Sequence, residues 1–259
     1  MDLGIAGKKA LVCGASSGLG YACAEALVKD GVHVVIAART EAPLREAAER
    51  LNALGAGKVD YVAADVTSDE GRARIFAAHP DFDILVTNAG GPAMGDFRTW
   101  SRETWHNAID ANMLAPIELI KATVDGMMAR GFGRIINLTS SAVKSPVEGL
   151  GLSTGARSGL TGFVASLART TVARGVTINN ILPGTFETPR LASNFAAQAQ
   201  REGKSVDEVR TARFAKHPAH RVGQPSELGH TCAYLCSVHA GYINGQNILI
   251  DGGSFNGVF

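Results

Sequence analysis

The chain has 259 residues, 46% of them hydrophobic and 19% charged, and a formal net charge of +1. That length suits one large α/β domain with a full core, and that balance excludes a disordered chain. A near-neutral charge gives no support for nucleic-acid or membrane-surface binding, and no apolar run approaches a membrane span, so neither nucleic acid nor membrane is an expected partner.

The first predicted element is a strand over residues 10–13, an apolar run between Lys8-Lys9 and Gly14. An unbroken apolar run reads as a strand buried on both faces of a parallel sheet. Gly14-Ala15-Ser16-Ser17-Gly18-Leu19-Gly20 follows, and then Ala22, Cys23, Ala26 and Leu27 recur at helical spacing up to Gly31. Glycines let such a turn approach an oxyanion closely, and the helix start offers free N–H groups and the positive end of its dipole. The stretch is therefore read as a phosphate-binding turn, with an ordinary strand-to-helix turn as the competing reading.

A strand over 32–37, a helix over 43–54, a strand over 59–63 and a short helix over 68–78 come next. A strand over 84–87, a long helix over 105–130 bent near Pro116, a strand over 134–138 and a helix over 155–173 continue the alternation. A strand over 176–182, an irregular, mostly helical insertion over 188–222, a helix over 227–236 and a last strand over 247–250 complete it. This order predicts a single domain, 1–259, with a Rossmann-type doubly wound parallel sheet of about seven strands and helices on both faces. Ligands then belong at the carboxyl ends of the strands.

Those ends hold the candidate binding residues. The second strand runs into Ala38-Arg39, where an acidic residue would bind the ribose hydroxyls of NAD. Arg39 suits the 2′-phosphate instead, which favours NADP(H) over NAD(H); a solvated surface arginine is the alternative. Asp65-Val66 ends the third strand, where a carboxylate can accept from an adenine amino group or serve a helix start. Asn88-Ala89-Gly90-Gly91, Thr139-Ser140-Ser141 and Pro183-Gly184-Thr185-Phe186-Glu187-Thr188 end the next three. Cys13, Cys23, Cys232 and Cys236 lie in apolar contexts without a histidine cluster. They read as reduced core residues, no metal is expected, and the absence of a signal pattern before the first strand makes the cytoplasm the expected compartment.

Taken together, Gly14/Gly18/Gly20, Asp65, Asn88-Ala89-Gly90, Asn112, Ser140, Pro183-Gly184, Thr188, the segment Tyr242-Ile243-Asn244-Gly245-Gln246 and Asp251-Gly252-Gly253 resemble the short-chain dehydrogenase/reductase family. The likeness is to its 3-oxoacyl-acyl-carrier-protein reductase-like branch and covers nearly the whole chain. It implies that Ser16, Ser17 and Leu19 join the glycines at the cofactor, that Asn88-Ala89-Gly90 supports the sheet beside it, and that Pro183, Gly184 and Thr188 lie at the nicotinamide. It further implies a homotetramer or dimer, and a small-molecule substrate such as an acyl-CoA or acyl-carrier-protein thioester.

The family places a Tyr-x-x-x-Lys pair about thirteen residues beyond the catalytic serine. Counting from Ser140, the two positions hold Ser153 and Arg157, and Tyr21, Tyr61, Tyr234 and Tyr242 are all distant. The i, i+4 spacing keeps both on one helix face. The chemistry differs, because a serine hydroxyl is a far poorer acid than a phenol, and arginine stays protonated and relays no proton. The resemblance then assigns catalysis to Ser140, Ser153, Arg157 and Asn112. Three activities remain open: an NADP(H)-dependent oxidoreductase, an NADP(H)-binding protein without redox turnover (a sensor or partner subunit), or a dehydratase or isomerase in the same pocket. Lys144, Glu148 and His106 are candidate substitutes for the missing acid, Glu148 through a raised pKa, against an exposed loop charge.

The insertion is read as a substrate lid. From Arg190 to Arg221 it carries seven basic residues (Arg190, Arg201, Lys204, Arg210, Arg213, Lys216, Arg221) against Glu202, Asp207 and Glu208, a local net charge of +4. Such a face suits the phosphates of coenzyme A or acyl-carrier protein, or a carboxylate substrate; a solvated helix face is the alternative.

Overall fold

Short apolar runs without polar alternation become the strands β1 (Lys9–Cys13), β2 (His33–Ala38), β3 (Val59–Ala63), β4 (Ile84–Thr87), β5 (Gly133–Leu138), β6 (Val176–Pro183) and β7 (Asn247–Ile250). The structure, a computed structural model, describes residues 1–258. Among them these strands form one sheet in the order β3-β2-β1-β4-β5-β6-β7, and every pairing is parallel. The predicted doubly wound architecture is borne out. The chain winds outward from β1 through β2 to β3, then returns to lay β4 on the other side of β1. That reversal opens a crevice at the carboxyl ends of β1 and β4, the usual ligand position in such sheets.

The helices α1 (Gly18–Lys29), α2 (Glu41–Asn52), α3 (Asp69–Ala78), α4 (Arg102–Ile109), α5 (Ala115–Arg130), α6 (Gly151–Thr171), α7 (Pro189–Glu202), α8 (Val206–Ala215) and α9 (Pro225–Cys236) cover the sheet. Two cores result. One packs α1, α2 and α9 on Val12, Val34, Ile36, Val86, Ile136 and Ile181. The other packs α3, α5 and α6 on Leu11, Val35, Leu85, Ile135 and Ile178. The four cysteines are free and buried, three of them in the α1–α9 layer, and burial pushes the Cys13 thiol up to about 12.

The α1–α9 contact is close enough to require glycine. A Cβ on Gly229 would lie 2.4 Å from the Ala22 carbonyl oxygen. Alanine there gains about 1 kcal/mol of helix propensity, but forcing two backbones apart costs about 1–3 kcal/mol. Gly229→Ala is therefore expected to lower stability by up to about 2 kcal/mol in urea unfolding, with dinucleotide affinity unchanged.

Three boundaries differ from the sequence expectation. The long helix is α4 and α5 joined by a π-helical turn, Asp110–Leu114. Pro116 follows the π turn directly within an unbroken helical path from α4 to α5, so the register change lies at the π turn, just before the proline where a bend was expected. Helix α6 starts four residues earlier than expected, which places Ser153 and Arg157 in its first two turns. The insertion is the pair α7 and α8, closed over a small core of its own: Phe195, Ala199 and Val209, with Leu191 and Phe214 packed against them.

Candidate functional site

The glycine turn is built to leave donors free. Gly14 and Gly18 have φ of 60° and 62°, left-handed values that side-chain-bearing residues rarely adopt. A Cβ on Gly20 would lie 2.3 Å from the Gly14 carbonyl oxygen, so only glycine lets the helix start this close to the turn. Asn88 Nδ2 donates to that same carbonyl at 3.3 Å and ties the end of β4 to the turn. Ser17 precedes α1 without a capping hydrogen bond, and the first turn of α1 carries no acid. Uncapped amide N–H groups of this kind can receive an anion. Thr188 stands over it, its Cγ2 3.6 Å from where a Cβ on Gly18 would be. Ser16 and Ser17 border the turn, while Leu19 anchors α1 in the first core. These residues fit a dinucleotide's phosphates.

The adenosine end is equally placed. Arg39 is exposed at the end of β2, and no salt bridge among the described residues engages it. Asp65 receives the Thr67 N–H at 3.0 Å and the Thr67 hydroxyl at 2.8 Å on one carboxylate oxygen. Burial alone would raise its carboxyl; the two bonds, with Arg39 nearby, outweigh that and hold it below the usual range. Helix α3 is capped by Ser68 and not by Asp65, so Asp65 is not spent on the helix start. Arg72 holds the Val66 carbonyl at 2.8 Å. Gly184 abuts Asp251, whose Cβ would be 2.7 Å from a Cβ there, and its N–H bonds to the Ile250 carbonyl beside Pro183.

Ser140, Ser153 and Arg157 meet at the end of β5. The Ser140 hydroxyl accepts from the Ala142 N–H at 3.1 Å, which leaves its own proton free to donate. Arg157 is 7% exposed. Its Nε donates to Ser153 Oγ at 3.2 Å, its Nη1 to the Leu138 and Thr139 carbonyls at 2.8 Å each, and its Nη2 to the Ala89 carbonyl at 3.4 Å. Burial, with Arg190 nearby, pushes its pKa down to about 10, so it remains charged at neutral pH. Asn112 is buried in the π turn, with Nδ2 on the Ala108 carbonyl at 3.2 Å and Oδ1 without a partner. An orphaned acceptor of this kind calls for a water or a ligand group.

None of the four tyrosines substitutes for a phenol here: Tyr21 lies under Arg50, Tyr61 is on the edge strand β3, and Tyr234 and Tyr242 are exposed. His106 and Glu148 are exposed and Lys144 is half-buried. The +4 of the insertion is partly an accounting boundary. Arg210 pairs with Glu187 and Arg221 with Glu227, both acids outside the counted segment, and Lys204 pairs with Glu202 inside it.

Two features escaped the sequence reading. Thr87, Asn137, Asn180 and Asn247 form a hydrogen-bonded ladder across β4 to β7, at 2.6, 3.0 and 2.8 Å. It fixes the strand ends that present Asn88 and Ser140. Asparagines inside the apolar runs of β5 and β6 were the available signal, since buried amides need partners. The other is Arg190, read only as one lid charge: its Nη2 reaches the Gly91 carbonyl at 3.2 Å, beside Arg157.

A family model described as "Enoyl-(Acyl carrier protein) reductase" matches residues 14–254. The chain is 34% identical over 257 residues to the 3-oxoacyl-[acyl-carrier-protein] reductase FabG of Vibrio cholerae, covering 98% of this chain and 99% of the relative. It is 32% identical to the Escherichia coli FabG, over 96% and 98%. Among solved structures it is similar to L-sorbose reductase from Gluconobacter frateurii complexed with NADPH and L-sorbose, with TM-score 0.95, 31% identity and full coverage of both chains. An actinorhodin polyketide ketoreductase with NADPH is similar at TM-score 0.87 and 30% identity, over 97% of this chain and 98% of that one.

Proposed function

The chain belongs to the short-chain dehydrogenase/reductase family, and from that premise we propose that it is an NADP(H)-dependent oxidoreductase acting on a carbonyl or alcohol carbon of a 3-oxoacyl-like substrate. One observation carries this reading. A path of three hydrogen bonds and one peptide link runs from the glycine turn to Ser153: the Gly14 carbonyl to Asn88, along the chain to the Ala89 carbonyl, and through Arg157 to the Ser153 hydroxyl. In this reading the cofactor turn and the reaction centre are tied to one another through Asn88, Ala89 and Arg157.

In this reading Gly14, Ser16, Ser17, Gly18, Leu19 and Gly20 take the pyrophosphate and Arg39 the 2′-phosphate. Asp65 and Val66 take the adenine, Asn88, Ala89 and Gly90 support the sheet beside the cofactor, Arg157 can donate to the nicotinamide ribose hydroxyls, and Pro183, Gly184 and Thr188 take the nicotinamide. Bound there, the dinucleotide supplies or accepts the hydride. Ser140 donates its free proton to the substrate oxygen. Arg157 keeps its positive charge beside Ser153, holding the hydroxyl where it can pass its proton to that oxygen, and the guanidinium stabilises the Ser153 alkoxide left behind until it is reprotonated. Asn112 Oδ1 accepts from a water that resupplies the proton. Helices α7 and α8 serve as the lid. The substrate is a small molecule or an acyl-carrier-protein or coenzyme A thioester, and the protein works in the cytoplasm as a homotetramer or dimer. Among the described residues no helix is long and apolar enough to cross a membrane.

A second reading, an NADP(H)-binding partner or sensor with little turnover, is favoured by Ser153 itself, since general acid catalysis is worth about 10²–10⁴-fold and serine is a poor acid. Titration with NADPH and NADH, followed by a carbonyl panel, separates the two. Tight NADPH binding with no turnover on any ketone selects the second; no binding of either nucleotide removes both. Trp100 and Trp105, in edge contact beside α6, provide the fluorescence signal. Arg39→Ala is expected to weaken NADPH about 10- to 100-fold, the worth of a charge-assisted bidentate contact, and to leave NADH within about twofold. Equal loss for both nucleotides would place the 2′-phosphate elsewhere.

A further inference from the structure

Three of the four cysteines meet where two helices come closest. Cys23 lies on α1, Cys232 and Cys236 lie on α9, and all three belong to the first core with no exposed surface. Gly229, Cys232 and Cys236 stand at i, i+3 and i+7, on one face of α9. Gly229 faces Ala22, the residue before Cys23: a Cβ on Gly229 would lie 2.4 Å from the Ala22 carbonyl oxygen. Packed helices ordinarily keep their axes about 8–10 Å apart. Backbone against backbone is a closer approach, and the thiols meet beside it. The Cys232 thiol is in hydrogen-bonding contact with both Cys23 and Cys236. Cys13, on β1, lies in the second core and outside this group.

The surroundings favour charge on the central sulfur. Hydrogen bonds from Cys23 and Cys236 hold the Cys232 thiol below its ordinary range, and the same contacts, with burial, push the other two above theirs. Arg134 supplies a positive charge. Its Nε donates to the Ser237 carbonyl at 3.0 Å, at the end of α9, and its charge bears on Cys236. Its other partners are the Gly133 and Gly175 carbonyls, and no described carboxylate lies within salt-bridge distance of it. A thiolate is the attacking form of cysteine, and a nearby cation favours it. None of these groups has a place in the site at the carboxyl ends of the strands.

We propose that Cys23 and Cys232 are a site of reversible oxidation by hydrogen peroxide, forming a disulfide that staples α9 to α1. The Cys232 sulfur attacks one peroxide oxygen: an S–O bond forms, the O–O bond breaks, and hydroxide leaves and takes up the Cys232 proton as water. The Cys23 sulfur then displaces the second hydroxide. The S–S bond replaces the S–O bond, and that hydroxide takes up the Cys23 proton as a second water. The two sulfurs lose two electrons and the peroxide gains them. Pairing across the helices is preferred to pairing within α9. Side chains four apart on one helix hold their Cβ atoms about 5–6 Å apart, and a disulfide requires about 3.5–4.5 Å. Hydrogen peroxide is scarcely larger than water and reaches these buried sulfurs through local opening of α9. A bond from residue 23 to residue 232 closes most of the chain into one loop and so restricts the unfolded state.

The test uses the folded full-length protein. It is treated with hydrogen peroxide, its remaining thiols are alkylated after denaturation, and the digest is mapped by mass spectrometry without reductant. Cys23→Ala, Cys232→Ala and Cys236→Ala are treated alike after their melting temperatures are checked. The expected result is one crosslinked peptide pair holding Cys23 and Cys232, with Cys13 and Cys236 alkylated as thiols, and its reversal by dithiothreitol. Cys23→Ala and Cys232→Ala abolish the crosslink, and Cys236→Ala retains it. Oxidised wild type melts about 5–10 °C above the reduced protein. If an alanine variant does not fold, the wild-type map alone decides, because the pairing is read from the peptides themselves. A disulfide between Cys232 and Cys236, or an oxidised Cys232 with Cys23 still a thiol, overturns the pairing. Thiols that resist peroxide until the protein unfolds overturn the site, and a crosslink that lowers the melting temperature overturns the staple.

Discussion

The double variant Ser153→Tyr/Arg157→Lys is expected to raise kcat/KM for reduction of a ketone by NADPH by roughly 10²–10⁴-fold over wild type, the range that a positioned general acid contributes. Both changes are needed. In the native site Arg157 Nε lies 3.2 Å from Ser153 Oγ, so a phenol ring grown from position 153 meets the guanidinium plane. Lysine replaces that plane with a thin stem and a single ammonium. The single Ser153→Tyr change keeps Arg157 fixed by its bonds to the Leu138 and Thr139 carbonyls, so the guanidinium still crowds the phenol and less than a tenth of the gain is expected. Arg157 is charged at neutral pH even with its pKa pushed down to about 10, so the native residue holds charge but relays no proton. Kinetics with matched NADPH titrations and melting temperatures decide the matter. A gain with unchanged NADPH affinity means that proton delivery limits the native chain. No gain in a folded, NADPH-binding double variant means that Ser140 and Ser153 already suffice, or that the native reaction needs no strong acid.

Most strands were legible because they are short apolar runs buried on both faces, as β1, β4 and β6 are, a pattern that helices of this chain do not share. The start of α6 was not. Its first residue is Gly151, preceded by Leu150 without a capping side chain, and Pro146 and Gly149 just upstream carry loop signals. The π turn had no clear signal either, since its one added residue shifts the apolar phase only once within a long helical run. The candidate cofactor residues could be picked out at strand ends because each is a local feature: a glycine turn, an arginine after β2, a carboxylate after β3. The Arg157 constellation could not. Its partners lie 18, 19 and 68 residues away, and only the β4–β5 pairing brings the Ala89 and Leu138 carbonyls to one guanidinium. The charge of the insertion failed for the same reason, because Glu187 and Glu227 return to it from outside its bounds.

Gly20→Ala is expected to weaken NADPH binding by about 100-fold or more while costing little stability, and the imbalance between the two is the informative part. Gly20 does not have a positive φ, so alanine meets no backbone strain, and it gains about 1 kcal/mol of helix propensity within α1. Against this stands the new Cβ, 2.3 Å from the Gly14 carbonyl oxygen and 2.9 Å from Asn88 Nδ2. Overpacking of that kind costs about 1–3 kcal/mol, so the net loss in urea unfolding is about 2 kcal/mol at most. Relief requires the Gly14 peptide to move, which breaks the Asn88 bond to its carbonyl and turns the free amides of the loop away from their common centre. A twofold logarithmic loss of affinity is about 2.8 kcal/mol, and it falls wholly on the bound state. Gly162→Ala in α6, where a Cβ would meet nothing within 4 Å, is the matched control and should gain stability without touching affinity. A Gly20→Ala protein that binds NADPH as wild type does would remove the turn from the cofactor site, and with it the path through Asn88 and Ala89 on which the assignment of Arg157 and Ser153 to the same reaction centre depends.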